Sequence, residues 1–98
     1  MSLEDFYQAQ VRQEITQKLV YPPAARRLGQ TGRVYVRFIL AQTGQVLSFE
    51  VVKASPYPAL NHAADELVRV AARFPPMPAE LGASSKAFQI PIEYHLDN

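Results

Sequence analysis

Cysteine is absent from the 98 residues. That excludes a disulfide framework, a thiolate zinc site and a cysteine nucleophile, without fixing a compartment. A charge bias is missing as well. Ten basic residues against 9 acidic ones leave a formal net charge of +1, so no general pull toward nucleic acid or an anionic membrane follows. No apolar run approaches the roughly 18 residues that a membrane span needs. No charged-then-apolar leader opens the chain, so no export signal is expected in it. Glycine is scarce, 4 in all, and no glycine loop is arranged to cradle phosphate. What the chain does have is apolar material: 48% of its residues are hydrophobic. A chain of this size buries roughly two-thirds of its unfolded surface, which suffices for one domain without staples.

The stretch Ala87 to Leu96 organises the rest. Phe88, Ile90, Ile92, Tyr94 and Leu96 share one parity, and Gln89, Pro91, Glu93 and His95 share the other. A period of two with β-branched and aromatic residues on one side predicts a strand with one buried face. Pro91 cannot donate to a ladder, which places this strand at a sheet edge. An apolar edge strand leaves backbone N–H and C=O groups open to an incoming chain. The working surface is therefore expected to be this edge, receiving a partner's extended segment, the alternative being an edge merely covered by the chain's own N-terminal segment or by crystal or dimer contacts. By parity, Gln89, Glu93 and His95 would turn their backbone groups outward, while Ile90, Ile92 and Tyr94 bond inward.

Upstream, Leu3, Tyr7, Val11, Ile15 and Leu19 recur at every fourth position, joined by Phe6, and predict an amphipathic helix with a Ser2-to-Asp5 cap. Pro22-Pro23 stops it, and a short turn of helix from Pro23 to Leu28 ends at Gly29. Residues 1–20 thus read as a helical lead-in and 21–98 as the main unit. Met1-Ser2-Leu3 has the look of a short appended leader on a piece of something longer. From Gly32 the period becomes two: Val34, Val36, Phe38 and Leu40 alternate with Arg33, Tyr35, Arg37 and Ile39. Ala41 to Gln45, with Gly44 available for positive φ, reads as a hairpin loop. The return strand, Val46 to Lys53, turns Phe49 and Val51 inward, and Val46 breaks its alternation, which predicts either a bulge or a late strand start. Leu60, Ala63, Ala64, Leu67, Ala71 and Phe74 then form a helical stripe, ended by Pro75-Pro76.

The helix returns the chain along the second strand, so the third strand runs parallel to the second and antiparallel to the first. The predicted fold is α+β, a three-stranded antiparallel sheet in the order second, first, third, with helices packed on one face.

Rival chemistries are thin. His62, Asp65 and Glu66 sit within a turn of helix but fall short of the three protein ligands a metal site requires. A solvated helix face accounts for them. No serine has a histidine and carboxylate to activate it. No catalytic residue, metal or cofactor is expected. Gly29-Gln30-Thr31-Gly32 has the glycine spacing of a KH loop but runs straight into a strand. Arg26, Arg27, Arg33 and Arg37 around Tyr35 are better explained as solvating the open sheet face or a helix end, so nucleic acid is not an expected partner. Pro75 and Pro78 match a polyproline-ligand spacing, yet a helix stop and an extended connector explain them.

The order of these signals resembles the C-terminal domain of TonB over Tyr21 to Leu96. Tyr21-Pro22 with Ala25 opens the match, and Gly32-x-Val34-x-Val36-x-Phe38 forms its first strand. Gly44-x-Val46 with Phe49-x-Val51 forms the return, Phe74-x-Pro76 ends the helix, and Pro91-Ile92-x-Tyr94 lies in the last strand. Ser55-Pro56-Tyr57 departs from the family's common turn. The resemblance implies a periplasmic domain of a protein anchored in the inner membrane. Such a protein couples a proton-driven motor complex to outer-membrane transporters of iron chelates and cobalamin. It further implies that the transporter's TonB box pairs with the last strand, here Phe88 to His95. The segment Gln17, Lys18, Leu19, Val20, Tyr21 and Pro22 would lie near that contact. The family's anchor and proline-rich spacer have no counterpart here, so an excised domain is implied. The competing class is a structural envelope module that self-associates, with a homodimer formed through its edges.

Overall fold

The computed structural model describes residues 2–96, so the reading of Met1 as part of an appended leader lies outside the described residues. Helix α1 spans Leu3–Lys18 and begins as expected, with the Asp5 N–H donating to Ser2 Oγ at 3.1 Å. Glu4 and Asp5 in its first turn and Lys18 in its last complement the helix dipole. Tyr7, Val11 and Ile15 are buried, but Leu3 and Phe6 remain exposed. Phe6 stands about 100° round the helix from Tyr7, off the buried stripe. Leu19 already has extended backbone, because the prolines that follow disfavour further helix. Helix α2, Pro23–Arg27, carries proline in its first turn and ends through Gly29 at φ +68°.

Strands β1 (Gly32–Ala41), β2 (Val46–Lys53) and β3 (Ser85–Tyr94) form one antiparallel sheet in the order β2-β1-β3. The predicted order and fold class hold. Val34, Val36, Phe38 and Leu40 of β1 and Phe88, Ile90, Ile92 and Tyr94 of β3 are buried on one face, with the helices above them. The last strand starts two residues before the predicted Ala87 and stops two before Leu96, leaving His95 and Leu96 beyond it. The bulge foreseen near Val46 is present: Ile39 faces Ser48 and Leu40 faces Val46, so Leu47 is the extra residue. A second irregularity leaves Val52 extra between the Tyr35 and Val36 pairs. Val51 lies opposite Val36 on the inner face yet is 39% exposed. Strand β2 has no buried residue along its length, in contrast to β1 and β3.

Helix α3, Pro58–Glu66, does not continue regularly to Phe74 as the stripe predicted. Leu67–Ala71 is a π-helical turn, closed by the Ala72 N–H donating to the Leu67 carbonyl at 2.8 Å. The wider turn shifts the apolar face by one residue, so Val68 and Ala72 are buried and the predicted Ala71 is exposed. Phe74 lies in the extended segment beyond and still reaches the core, stacking on Phe38 with ring centroids 5.5 Å apart. The departing sequence Ser55-Pro56-Tyr57 makes a closed turn. The Ser55 N–H donates to Asn61 Oδ1 at 2.8 Å, and Asn61 Nδ2 returns a bond to the Ser55 carbonyl at 3.0 Å.

Helix α1 is tied to this core by directed contacts. The Tyr7 hydroxyl donates to the Pro75 carbonyl at 2.7 Å, Lys86 pairs with Glu4, and the Tyr7 ring lies 6.0 Å from that of Phe88. The Arg73 N–H, released where the helix ends, donates to the Glu14 carboxylate at 2.6 Å. That bond, aided by Lys18, holds the Glu14 carboxyl below its ordinary 4.5. A carboxyl depressed on folding contributes stability above its unfolded value and loses it as pH falls through the folded one. Glu14→Gln is expected to flatten the loss of stability below about pH 4.5, measured as a smaller shift of the urea midpoint on acidification. An unchanged shift would remove Glu14 from the account.

Candidate functional site

Strand β3 pairs with β1 without interruption from Ala41↔Ser85 to Gly32↔Tyr94, and the sheet order ends on it. Among the described residues no strand lies on its other side. Pro91 stands opposite Tyr35. In an antiparallel pair, alternate residues direct both backbone groups to the same side. A residue without N–H therefore fits the ladder without loss only where its nitrogen faces away from β1. Gln89 and Glu93 share the parity of Pro91, so their N–H and C=O groups are turned to the free edge. Their side chains are exposed, while those of Phe88, Ile90, Ile92 and Tyr94 are buried.

The sheet's other edge is less suited to pairing. The extra residues Leu47 and Val52 break the β2 register twice, and bulges of this kind twist an edge away from an incoming strand. The register of β3 against β1 is thus unbroken, while that of β2 is broken twice.

A groove of about 500 Å³ runs beside β3. One wall is Ile90 to His95, and the other is Arg12, Ile15 and Thr16 of α1 followed by Leu19 and Tyr21. Tyr21 is fixed there by three contacts. Its hydroxyl donates to the Gln30 carbonyl, its ring meets Tyr94 edge-on at 5.5 Å, and the Arg26 guanidinium lies 5.1 Å over it. Burial, with the Tyr21 hydroxyl nearby, pushes the Tyr94 phenol up to about 12. It stays neutral through the ordinary pH range, and its hydroxyl is buried without a hydrogen-bond partner among the described residues. Glu93 is held by Arg33 at 2.5 Å, with His95 Nδ1 at 3.7 Å.

The residues expected near the contact divide by parity along the extended linker. Leu19 and Tyr21 face the β3 groove. Lys18, Val20 and Pro22 face a second groove of about 360 Å³ against α3, lined by Ala59, Ala63, Leu67 and Val70. Gln17 is exposed and lines neither groove. Arg12, Ile15 and Thr16 were not foreseen. Helical spacing marks Ile15 as core, and nothing in the sequence sets α1 beside β3.

The other candidates remain surface features. His62 and Glu66 approach to 3.5 Å on an exposed helix face, and among the described residues no three potential ligands converge. Arg37 pairs with Glu50 at 3.6 Å and Lys53 lies 5.9 Å over the Tyr35 ring, so the open sheet face carries mixed charge.

Comparison with known proteins bears directly on this geometry. Residues 17–96 match the family described as Gram-negative bacterial TonB protein C-terminal. Protein TonB of Helicobacter pylori strain ATCC 700392 / 26695 is 36% identical over 86 residues, 88% of this chain and 29% of that protein. Protein TonB of Campylobacter coli is 31% identical over 64 residues, 65% of this chain and 28% of that protein. The chain thus spans less than a third of the length of these relatives. The NMR solution structure of the H. pylori TonB C-terminal domain superposes with a TM-score of 0.77 at 33% identity, covering 94% of this chain and 82% of that one. The match at the level of the fold, the span of the family model and the identity to curated relatives agree, and the chain belongs to the TonB C-terminal domain family.

Proposed function

We propose that this domain is a binding module, not an enzyme, and receives the TonB box of outer-membrane transporters as an added strand on the free edge of β3. In the whole protein it would be the periplasmic end of an inner-membrane-anchored chain. It would pass the energy of a proton-driven motor complex to transporters of iron chelates and cobalamin. The single observation that carries this reading is the asymmetry of β3, ladder-bound along its full length on one side and unpaired on the other. Family membership supports the same role. Strand addition also suits a mechanical task. A pull along paired strands loads their hydrogen bonds together in shear, whereas a pocket contact loads one anchor.

Amide exchange on the protein with and without a synthetic box peptide tests the reading. Protection is expected to rise at Gln89 and Glu93 and to stay unchanged at Leu47 and Val52 on the opposite edge. Protection confined to β2, or none, would overturn it. The alternative, a self-associating envelope module, predicts a dimer whose sedimentation depends on protein concentration and ignores the peptide.

A further inference from the structure

The family match begins at residue 17, so α1, Leu3–Lys18, lies almost wholly ahead of it. Yet α1 builds one wall of the groove along β3. The contacts Glu4 with Lys86 and Tyr7 with Phe88, and then Ile15 across from Ile90 to His95, show the helix running alongside the strand in the same direction. Its tie to Pro75 and the bond from Arg73 to Glu14 hold it in that place.

Resting on the strand-addition reading above, we infer that α1 is a selectivity wall for the added strand: Arg12 recognises a carboxylate of the partner, and Ile15 with Leu19 an aliphatic side chain two residues away. A strand laid on the free edge of β3 points alternate side chains to the helix side of the sheet. Measured along α1 from Arg12, Ile15 lies about 4.5 Å and Leu19 about 10 Å further on, and two residues of strand advance about 6.6 Å. With partner position i at Arg12, position i+2 therefore falls between Ile15 and Leu19. The apolar part is set by half-buried Leu19, with Ile15, 4% exposed and packed into the core, forming the floor of the groove beneath it. Charge decides the other position. Glu93 is held by Arg33 and flanked by His95, whereas Arg12 has no ion pair among the described residues. The groove thus offers a cation to whatever enters, and a lysine there would face repulsion.

The probe is a set of capped eight-residue peptides of alternating valine and threonine, with glutamate, glutamine or lysine placed at each position in turn. Binding is followed by NMR titration of the intact domain. At one position glutamate is expected to bind about fivefold more tightly than lysine, and Arg12→Glu is expected to reverse that order. Arg12 is exposed, so the variant folds, which circular dichroism checks. Peptides that bind, lose affinity with Gln89→Pro, and show the same glutamate-to-lysine ratio with Arg12→Glu would overturn the α1 wall and leave strand addition standing. A set in which no peptide binds, or whose binding ignores Gln89→Pro, overturns strand addition and this inference with it.

Discussion

Gln89→Pro is expected to weaken binding of a box peptide at least about tenfold while leaving the fold in place. The substitution removes an N–H and adds a ring. Because Gln89 shares the parity of Pro91 across the β1–β3 ladder, the N–H lost is one turned to the free edge. No ladder bond to β1 is broken, and Pro91 two residues on already shows that the strand tolerates the ring at this parity. A peptide strand would lose one backbone bond, worth about 1 kcal/mol, and would meet the ring where its own backbone must approach. Together these exceed the 1.4 kcal/mol that corresponds to about tenfold. Ile90→Pro is the control. Its parity turns the N–H toward Val36 of β1, so that variant is expected to lose the fold. Calorimetric titration paired with thermal unfolding separates the two. Undiminished affinity in folded Gln89→Pro would end the proposal that the rim of β3 is the docking surface.

The largest effect on stability is expected at Gly44. This residue closes the β1–β2 hairpin at φ +91°, and its N–H donates to the Ala41 carbonyl at 2.9 Å. A Cβ added there would stand 2.4 Å from the Phe74 carbonyl oxygen and 3.0 Å from that of Pro75. Both obstacles are backbone, and they belong to the segment that brings Phe74 onto Phe38. Gly44→Ala therefore combines a conformational cost of about 1 kcal/mol with a clash that forces the hairpin from the connector. A total of about 3 kcal/mol is expected. Gly29→Ala isolates the first part, since Gly29 has φ +68° and nothing within 4 Å of an added Cβ. It should cost only about 1 kcal/mol. Urea unfolding of the two variants measures the difference, and equal midpoints would show that the hairpin does not press on the connector.

Much of this architecture was legible in the residues alone, and the reasons are local. Alternation assigned the buried face of β1 and β3 residue by residue, since a strand's side chains have a period of two. Pro91 assigned β3 to an edge, since a proline nitrogen cannot serve a ladder. The hairpin, one connecting helix and chain direction then left one antiparallel order for the strands. The helical stripe of α3 matches the buried face through Leu67 and departs from it at Ala71, which is exposed. A π turn changes the period without changing the composition, so no spacing rule reveals it. Alternation sets Val51 on the inner face opposite Val36, but its exposure follows from packing above β2 that alternation does not encode.

The order of residues supplies the available groups: an apolar face, an outward parity of backbone groups on β3, and a proline that fits only that parity. What surrounds those groups comes from the packing of the whole chain. It broke the rival β2 edge at Leu47 and Val52, set Leu19 and Tyr21 on one side of their linker and Val20 on the other, and laid α1 along β3. Periodicity is a property of neighbours in the chain, whereas a groove between α1 and β3 joins residues more than seventy positions apart. Such a pairing is chosen by packing energy summed over the whole core, and no local pattern encodes it.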